Sequence, residues 1–276
     1  VRRKTLQQRE SNLYVDRTRD DQHQTQLLVM EMYALRNSIR KSPDKEKEYK
    51  TRGDSLNTLY GSLNLRIQET ELSVLDENKT YSDIWMDKLD RQAMQLRYSE
   101  VPEATVAKMQ ALYDSMPEDK KNSRPGESIY LSLNLPKPVG IGDNVADADM
   151  WDLNGNLQRL ENFKGKYMLL DFWSSGCGPC IRSMPEMKEI SETYKDRLTV
   201  VSISSDTKEM WEKTSKEKDI TWVNLNDFKG DNGIKIHYGI RGIPYYVIAD
   251  PDGKIVTTFM GYGKVSLKRK VKEFVK

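Results

Sequence analysis

Cysteine and histidine are scarce in this sequence, and long apolar runs are absent from it. Only 2 of the 276 residues are cysteines and only 2 are histidines. A scaffold stapled by several disulfides is therefore excluded, and a four-ligand zinc site would need both cysteines together with His23 and His237, which lie far apart in the sequence. No stretch of the sequence approaches the roughly 20 apolar residues that a membrane-spanning helix needs.

Charged residues are abundant, but the two signs balance. The chain has 44 lysines and arginines against 42 aspartates and glutamates, for a net charge of +2, and its mean hydropathy is −0.75. This balance gives no indication of a nucleic-acid partner. No glycine-rich phosphate loop and no internal repeat stands out. Because the chain begins at Val1 rather than at a methionine, we expect a processed or truncated product whose missing residues carried an export signal or an anchor.

Both cysteines lie in one short stretch. The apolar run Tyr167–Trp173, interrupted only by Asp171, predicts a buried strand of a parallel sheet. A small-residue turn follows, and Cys-Gly-Pro-Cys at 177–180 then opens an amphipathic helix. The spacing brings the two thiols within bridging distance at a helix N-terminus, which favours a thiolate. We predict a redox-active dithiol with Cys177 as the exposed nucleophile and Cys180 as the resolving thiol. A structural zinc site and a purely structural disulfide are the alternatives.

Two separate motifs resemble the thioredoxin superfamily. The first is Asp-Phe-Trp at 171–173, followed by Cys-Gly-Pro-Cys and then by Pro185. The second is Tyr-Gly-Ile-Arg-Gly-Ile-Pro at 238–244, which resembles the segment around that family's cis-proline. Val-Gly-Ile-Gly-Asp at 139–143 and the region before it further resemble the TlpA-like (AhpC/TSA-related) envelope thiol-disulfide oxidoreductases that carry an N-terminal helical spacer.

The resemblance implies roles for the residues around the cysteine pair. Asp171, a carboxylate in an apolar strand, is expected to have a raised pKa and to accept the proton of Cys180, directly or through a water. A hydrogen-bonding aspartate at a strand end is the alternative. Pro244 is expected to follow a cis peptide bond, which leaves the backbone of Ile243 free to pair with an extended substrate. The resemblance adds three further substrate contacts: Gly176, Gly178 and Pro179.

Three positions depart from the family pattern. Gly176 stands where thioredoxins and TlpA-like proteins usually have tryptophan, which implies a smaller and more flexible substrate platform. Ser183 stands where several TlpA-like reductases have an active-site glutamate, so that Asp171 would serve alone. Ser202 falls where thioredoxins have a buried lysine, and Asp171 would therefore ionise less readily.

Patterns typical of strands and of helices alternate along the second half of the chain. In the first half, apolar residues recur only at the three-to-four spacing of helices. We predict an α/β thioredoxin fold, a mixed central sheet flanked by helices, over residues 136–276. An α-helical region of four helices precedes it over residues 1–135 and is interpreted as the remainder of a larger N-terminal domain. Before Gln22, this region is expected either to fray or to present an edge that packed on something now missing. This region is expected to pack on the thioredoxin-like module or on a second copy of itself, as a homodimer, and to add no catalytic residue.

The resemblance implies a protein-disulfide reductase of the bacterial envelope, since a Gly-Pro dipeptide between the cysteines resembles reducing thioredoxins, with potentials near about −270 mV. No cofactor is expected beyond the redox-active Cys177–Cys180 pair. The expected partners are protein dithiols or disulfides and an electron-donor protein. A peroxiredoxin-like peroxidase is one alternative, disfavoured because no threonine lies three residues before either cysteine. A partner-docking module with vestigial thiols is the other.

Overall fold

The computed structural model describes residues 5–42, 45–263 and 265–276, and these fall into two compact units. The boundary between the units lies between Asn134 and Leu135. The strands of the described chain all belong to the second unit. Each unit has a hydrophobic core of its own.

The first unit is built from helices. Two of them are long, and the others are short. Its helices are α1 (Leu6–Lys41), α2 (Glu46–Glu77), α3 (Asp83–Met94), α4 (Glu103–Asp114), α5 (Glu118–Lys121) and α6 (Arg124–Leu133). Large apolar side chains at the centre, among them Leu72, Trp85, Leu89 and Met109, are completely buried.

Over the described residues 5–21, the expectation that the chain frays before Gln22 is wrong, because α1 is continuous from Leu6. Residues 1–4, to which the same expectation applied, lie outside the described residues. Its start has a capping box. The Thr5 hydroxyl accepts a hydrogen bond from the backbone N–H of Gln8, and the Gln8 side chain accepts one from the backbone N–H of Thr5. These bonds satisfy N–H groups that a helix start leaves without partners. Further along α1, Tyr14 packs into the core.

The expectation of four helices is also wrong, since α5 and α6 follow Met116. The hydroxyl of Ser123 accepts a hydrogen bond from the backbone N–H of Gly126 at 3.3 Å and so caps α6. Gly126 is required by a close approach of backbone, because a Cβ there would lie 2.1 Å from the carbonyl oxygen of Lys120. Pro125 in the first turn of α6 fits the helix, because a helix start tolerates proline there.

The second unit contains a seven-stranded mixed sheet with helices against it. The strands lie in the order β2-β1-β5-β4-β3-β6-β7. Strands β3, β4 and β5 run parallel, and the other pairs are antiparallel. The elements are β1 (Met150–Asp152), β2 (Leu157–Gln158), β3 (Tyr167–Trp173), α7 (Gly178–Thr193), β4 (Leu198–Ser204), α8 (Lys208–Glu217), β5 (Val223–Asn226), β6 (Tyr245–Ala249), β7 (Ile255–Met260) and α9 (Ser266–Phe274). This arrangement confirms the predicted fold class.

Strand β3 is buried on both faces, as its apolar run predicts. Side chains alternate between the two faces of a strand, so that one face of β3 contributes Met168, Leu170 and Phe172 to one core. The other face contributes Leu169 and Trp173 to the clusters that include α7. The central strand therefore positions α7, the helix that begins with the cysteine pair.

Candidate active site

Cys177 and Cys180 form a disulfide at the start of α7. Their Cα atoms are 5.2 Å apart. Cys177 is the N-cap residue, and its Sγ accepts a hydrogen bond from the backbone N–H of Cys180 at 3.2 Å. Cys177 is 9% exposed and Cys180 only 1%. Cys177 is therefore the more accessible sulfur, and Gly178 and Pro179 lie between the two in the first turn of the helix.

An aspartate beyond the end of β4 holds the turn that leads into Cys177. The carboxylate of Asp206 accepts hydrogen bonds from the backbone N–H of Ser175 at 2.7 Å and from its hydroxyl at 3.0 Å. The Ser204 hydroxyl also donates to Asp206, at 3.2 Å. Gly176, between this anchored turn and the cysteine, is exposed. Asp206 was not singled out from the sequence, although Ser-Asp at 205–206 directly after a buried strand is a typical loop signal.

Helix α7 is held by side chains along its buried face. The Ser183 hydroxyl donates to the carbonyl oxygen of Cys180 at 2.7 Å, within a helix that contains Pro185. Glu186 accepts backbone N–H groups at the start of α9, from Val265 at 3.1 Å and from Lys268 at 2.8 Å. A carboxylate at a helix N-terminus is favourable, and this contact fixes α7 against α9.

Asp171 is buried in the middle of β3 and is only 2% exposed. Its Oδ2 accepts a hydrogen bond from the hydroxyl of Ser202, on the neighbouring strand β4, at 2.9 Å. Its Oδ1 is buried and has no hydrogen-bond partner among the described residues. Burial raises the pKa of Asp171 to about 7, and the hydrogen bond from Ser202 opposes this rise. Such a carboxyl group can take up and release a proton near neutral pH.

The alternation of β3 places Asp171 against the active-site helix. Leu169, two residues before Asp171, packs with Met187 of α7. Trp173, two residues after it, packs in one cluster with Cys180. Because Asp171 lies between these side chains and on their face of the sheet, it faces the stretch of α7 that begins at Cys180.

Tyr246 on β6 pairs in register with Asp171 and is completely buried. Burial, followed by the negative charge of Asp171, raises the pKa of the Tyr246 phenol. Its hydroxyl makes no hydrogen bond of ordinary geometry to a described residue, although Ser183 lies near enough to oppose part of that rise. On the opposite side of Asp171 from Tyr246, Trp222 lies just before β5 and donates its indole N–H to the Ser202 hydroxyl at 2.8 Å. Neither aromatic residue was singled out from sequence, since strand register and packing place them here.

The segment before β6 completes the site. The peptide bond between Ile243 and Pro244 is cis. Ile243 packs against the cluster that contains both cysteines. The carbonyl oxygen of Pro244 accepts a hydrogen bond from the backbone N–H of Gly261 at 2.9 Å, which ties this segment to the end of β7. The structure thus brings the Ile243–Pro244 segment together with the two cysteines.

Known proteins resemble the second unit of this chain. A family model described as thioredoxin-like matches residues 165–255. The thioredoxin-like protein YneN of Bacillus subtilis is 34% identical over 142 residues, which are 49% of this chain and 81% of that protein. The thiol-disulfide oxidoreductase ResA of Bacillus cereus is 30% identical over 154 residues, which are 55% of this chain and 86% of that protein. Among solved structures, the thioredoxin domain of a thiol-disulfide oxidoreductase from Bacteroides vulgatus is 32% identical, with a TM-score of 0.47, and the match covers 50% of this chain and 99% of that domain.

Proposed function

Because the chain belongs to the thioredoxin-like family of thiol-disulfide oxidoreductases, we propose that it reduces protein disulfides in the bacterial envelope through Cys177 and Cys180. The observation that carries this proposal is the placement of the pair. The Cys177–Cys180 pair lies at the N-terminus of α7, and this helix packs against the face of β3 that contains the buried Asp171. The pKa of Asp171, about 7, suits proton transfer. The relatives' names imply thiol chemistry on proteins in general, and the reducing direction is our own inference.

In the proposed reaction, the thiolate of Cys177 attacks one sulfur of the substrate disulfide. The substrate S–S bond breaks, the other substrate sulfur leaves as a thiolate, and a mixed disulfide forms through Cys177. Cys180 then gives its proton to Asp171, and its sulfur attacks the Sγ of Cys177. The second substrate sulfur leaves, and the Cys177–Cys180 disulfide forms. Two electrons have passed from the enzyme to the substrate, and an electron-donor protein would restore the dithiol.

The substrate is proposed to lie across an apolar and glycine-containing surface beside Cys177. Gly176 and Gly178 present little side-chain bulk there, and Gly176 is exposed. Ile243 packs against the cluster that contains both cysteines, and its backbone is the proposed pairing partner of the substrate. An extended polypeptide with an accessible disulfide is the class of substrate that these contacts fit.

Two cysteine variants test this function. Cys177→Ser should abolish reduction of a protein disulfide, whereas Cys180→Ser should accumulate a mixed disulfide through Cys177, identified by mass spectrometry. Alkylation of the reduced protein should label Cys177 before Cys180, because Cys180 is buried more deeply. Faster labelling of Cys180 would overturn the assignment. Turnover of hydrogen peroxide without disulfide reduction would indicate a peroxidase instead, and inert thiols would indicate a docking module.

The cellular setting is the second part of the proposal. The resemblance of residues 139–143 and of the preceding helical region to TlpA-like proteins supports an envelope location. No helix in residues 5–42, 45–263 or 265–276 combines the length and the apolar character needed to cross a membrane. Release of the native protein by osmotic shock would support the location, and its retention with the cytoplasmic fraction would contradict it. Sedimentation at several concentrations would test the proposed homodimer through the helical unit.

A further inference from the structure

Three side chains form a hydrogen-bond chain that ends at Asp171 of β3: Trp222, just before β5, Ser202 of β4, and Asp171 itself. The indole Nε1–H of Trp222 donates to the Oγ of Ser202 at 2.8 Å. The hydroxyl of Ser202 donates to Asp171 Oδ2 at 2.9 Å. An indole N–H can only donate, so Ser202 must act as its acceptor, and this orients the hydroxyl hydrogen of Ser202 toward Asp171.

This chain distinguishes the two oxygens of the carboxyl group. In the structure, Oδ2 accepts the hydrogen bond from the Ser202 hydroxyl. Oδ1 is buried and has no hydrogen-bond partner among the described residues. We infer that Trp222 is a positioning residue that acts through Ser202, so that Oδ2 remains an acceptor and Oδ1 is the oxygen that takes the proton of Cys180. This inference rests on the proposed role of Asp171.

The proton step then has a defined path. The S–H bond of Cys180 breaks, and its proton forms an O–H bond at Asp171 Oδ1. The electron pair left on the sulfur forms the new bond to Cys177 Sγ, and the mixed-disulfide bond to the substrate breaks. Oδ2 becomes the carbonyl oxygen of the protonated acid and keeps the hydrogen bond from Ser202. No oxidant other than the mixed disulfide is needed.

Among the groups around Asp171, Ser202 is the one whose hydrogen bond lowers the pKa of Asp171. Tyr246 faces Asp171 from β6, and burial raises its pKa, so the phenol stays neutral near pH 7. The stretch of α7 that begins at Cys180 faces Asp171. Glu186 of the same helix and Tyr262 each raise the pKa of Tyr246 further through their charges. Desolvation favours the protonated form of Asp171, and the Ser202 hydrogen bond is the influence that opposes it. A change in that bond should therefore move the titration of Asp171 directly.

The test is a ¹³C NMR titration of labelled aspartate in the oxidised protein, in which the cysteines do not titrate. Ser202→Ala should raise the pKa of Asp171 by about 1 to 2, since a hydrogen bond to a charged group is lost. Trp222→Phe should raise it by a smaller amount, about 0.5 to 1. Trp222→Phe in the Ser202→Ala background should have no further effect. Trp211→Phe is the matched control, because this buried indole lies in the cluster that Trp222 packs against and its N–H has no partner among the described residues.

Infrared spectroscopy at low pH tests which oxygen takes the proton. With the proton on Oδ1, Ser202→Ala removes a hydrogen bond from the carbonyl oxygen, and the C=O stretch of Asp171 should move to higher frequency. An unchanged stretch would place the proton on Oδ2 and overturn the inference. Ser202→Thr keeps the hydroxyl and should titrate as the wild type does, which also covers the case in which Ser202→Ala fails to fold.

Two outcomes of the titration would overturn the role of Trp222. One is an unchanged pKa of Asp171 in Trp222→Phe. The other is a shift of equal size when Trp222→Phe is added to Ser202→Ala. The proposed function fails by a different measurement, since it predicts that Asp171→Asn slows resolution of the mixed disulfide. Unchanged resolution kinetics in that variant would remove the catalytic role of Asp171 and leave the measured titration as it stands.

Discussion

Asp206 holds Ser175 with both carboxylate oxygens, one bonded to the backbone N–H and the other to the hydroxyl. Ser175 lies two residues before Cys177, and Asp206 lies two residues after the end of β4. The side chain of Asn226, at the end of β5, donates in turn to the carbonyl oxygen of Asp206 at 3.0 Å. The turn before the reactive cysteine is thus fixed to the ends of two neighbouring strands.

Asp206→Ala should lower the free energy of unfolding by about 1 to 3 kcal/mol, because two donors of Ser175 lose a charged acceptor. It should also slow the attack of Cys177 on a disulfide, since the turn before it loosens. Urea unfolding and stopped-flow reduction measure the two effects. Glu212→Ala is the control, because its exposed ion pair with Lys208, at 3.8 Å, contributes little. Equal stability of the two variants would contradict the anchoring role of Asp206.

Asp171→Asn should change how stability depends on pH. Because the pKa of Asp171 is raised to about 7 in the folded protein, the folded state binds more protons than the unfolded state between about pH 4 and pH 7. The Asp171 contribution to wild-type stability therefore falls as pH rises through this window. The variant cannot ionise, so it should match the wild type near pH 4 and exceed it by up to about 4 kcal/mol above pH 7. Urea unfolding of both oxidised proteins measures the difference, and a difference independent of pH would contradict the buried charge.

Two glycines in helices of the first unit should respond in opposite directions to alanine. Gly61 in α2 is exposed, and a Cβ there would meet nothing within 4 Å. Gly61→Ala should therefore stabilise the unit by about 0.5 to 1 kcal/mol, through the better helix propensity of alanine. A Cβ at Gly126 would lie 2.1 Å from the carbonyl oxygen of Lys120, so Gly126→Ala should destabilise it by about 1 to 3 kcal/mol or more. Helix content followed by circular dichroism during heating measures both, and the same sign for the two would contradict the packing of α6.

A fragment of residues 135–276 should fold by itself, because this unit contains the complete sheet and its own cores. It should reduce a small disulfide at a rate near that of the full chain, while losing activity on its native protein partner. Circular dichroism and a small-disulfide assay make the comparison. A folded but inactive fragment would show that the helical unit contributes to the reaction.

The elements that sequence predicts well are those whose pattern is local. Strand β3 has the predicted bounds, Tyr167–Trp173, because it is an apolar run between turn residues. The start of α1 was not predicted because only a few of its side chains are buried. So few apolar positions give little of the periodicity that indicates a helix. Helix α6 was not predicted because proline and glycine in its first turn are atypical of helices. Ser123 before them is nevertheless a good capping residue.

Some residues of the candidate site can likewise be predicted from the sequence, and others cannot. Cys177, Cys180, Asp171 and Pro244 can be identified from local motifs and a family resemblance. Tyr246 and Trp222 cannot, because strand register and packing between segments that are distant in sequence place them near Asp171. Trp222 reaches Asp171 only through Ser202, which pairs with Asp171 across β3 and β4. That pairing is a property of the folded sheet.

One edge of the sheet is short, and the other is covered at its start. At one side it ends in β2, which has only two residues. At the other side, the segment before β1 bonds to the start of β7, since Asp143 accepts the N–H of Ile255 and Gly142 donates to its carbonyl oxygen. Exposed edge strands recruit extended chains into aggregates. For a protein whose proposed substrates are extended or partly unfolded chains, the short edge at β2 and the covered start of β7 reduce the length of strand to which such a chain could add.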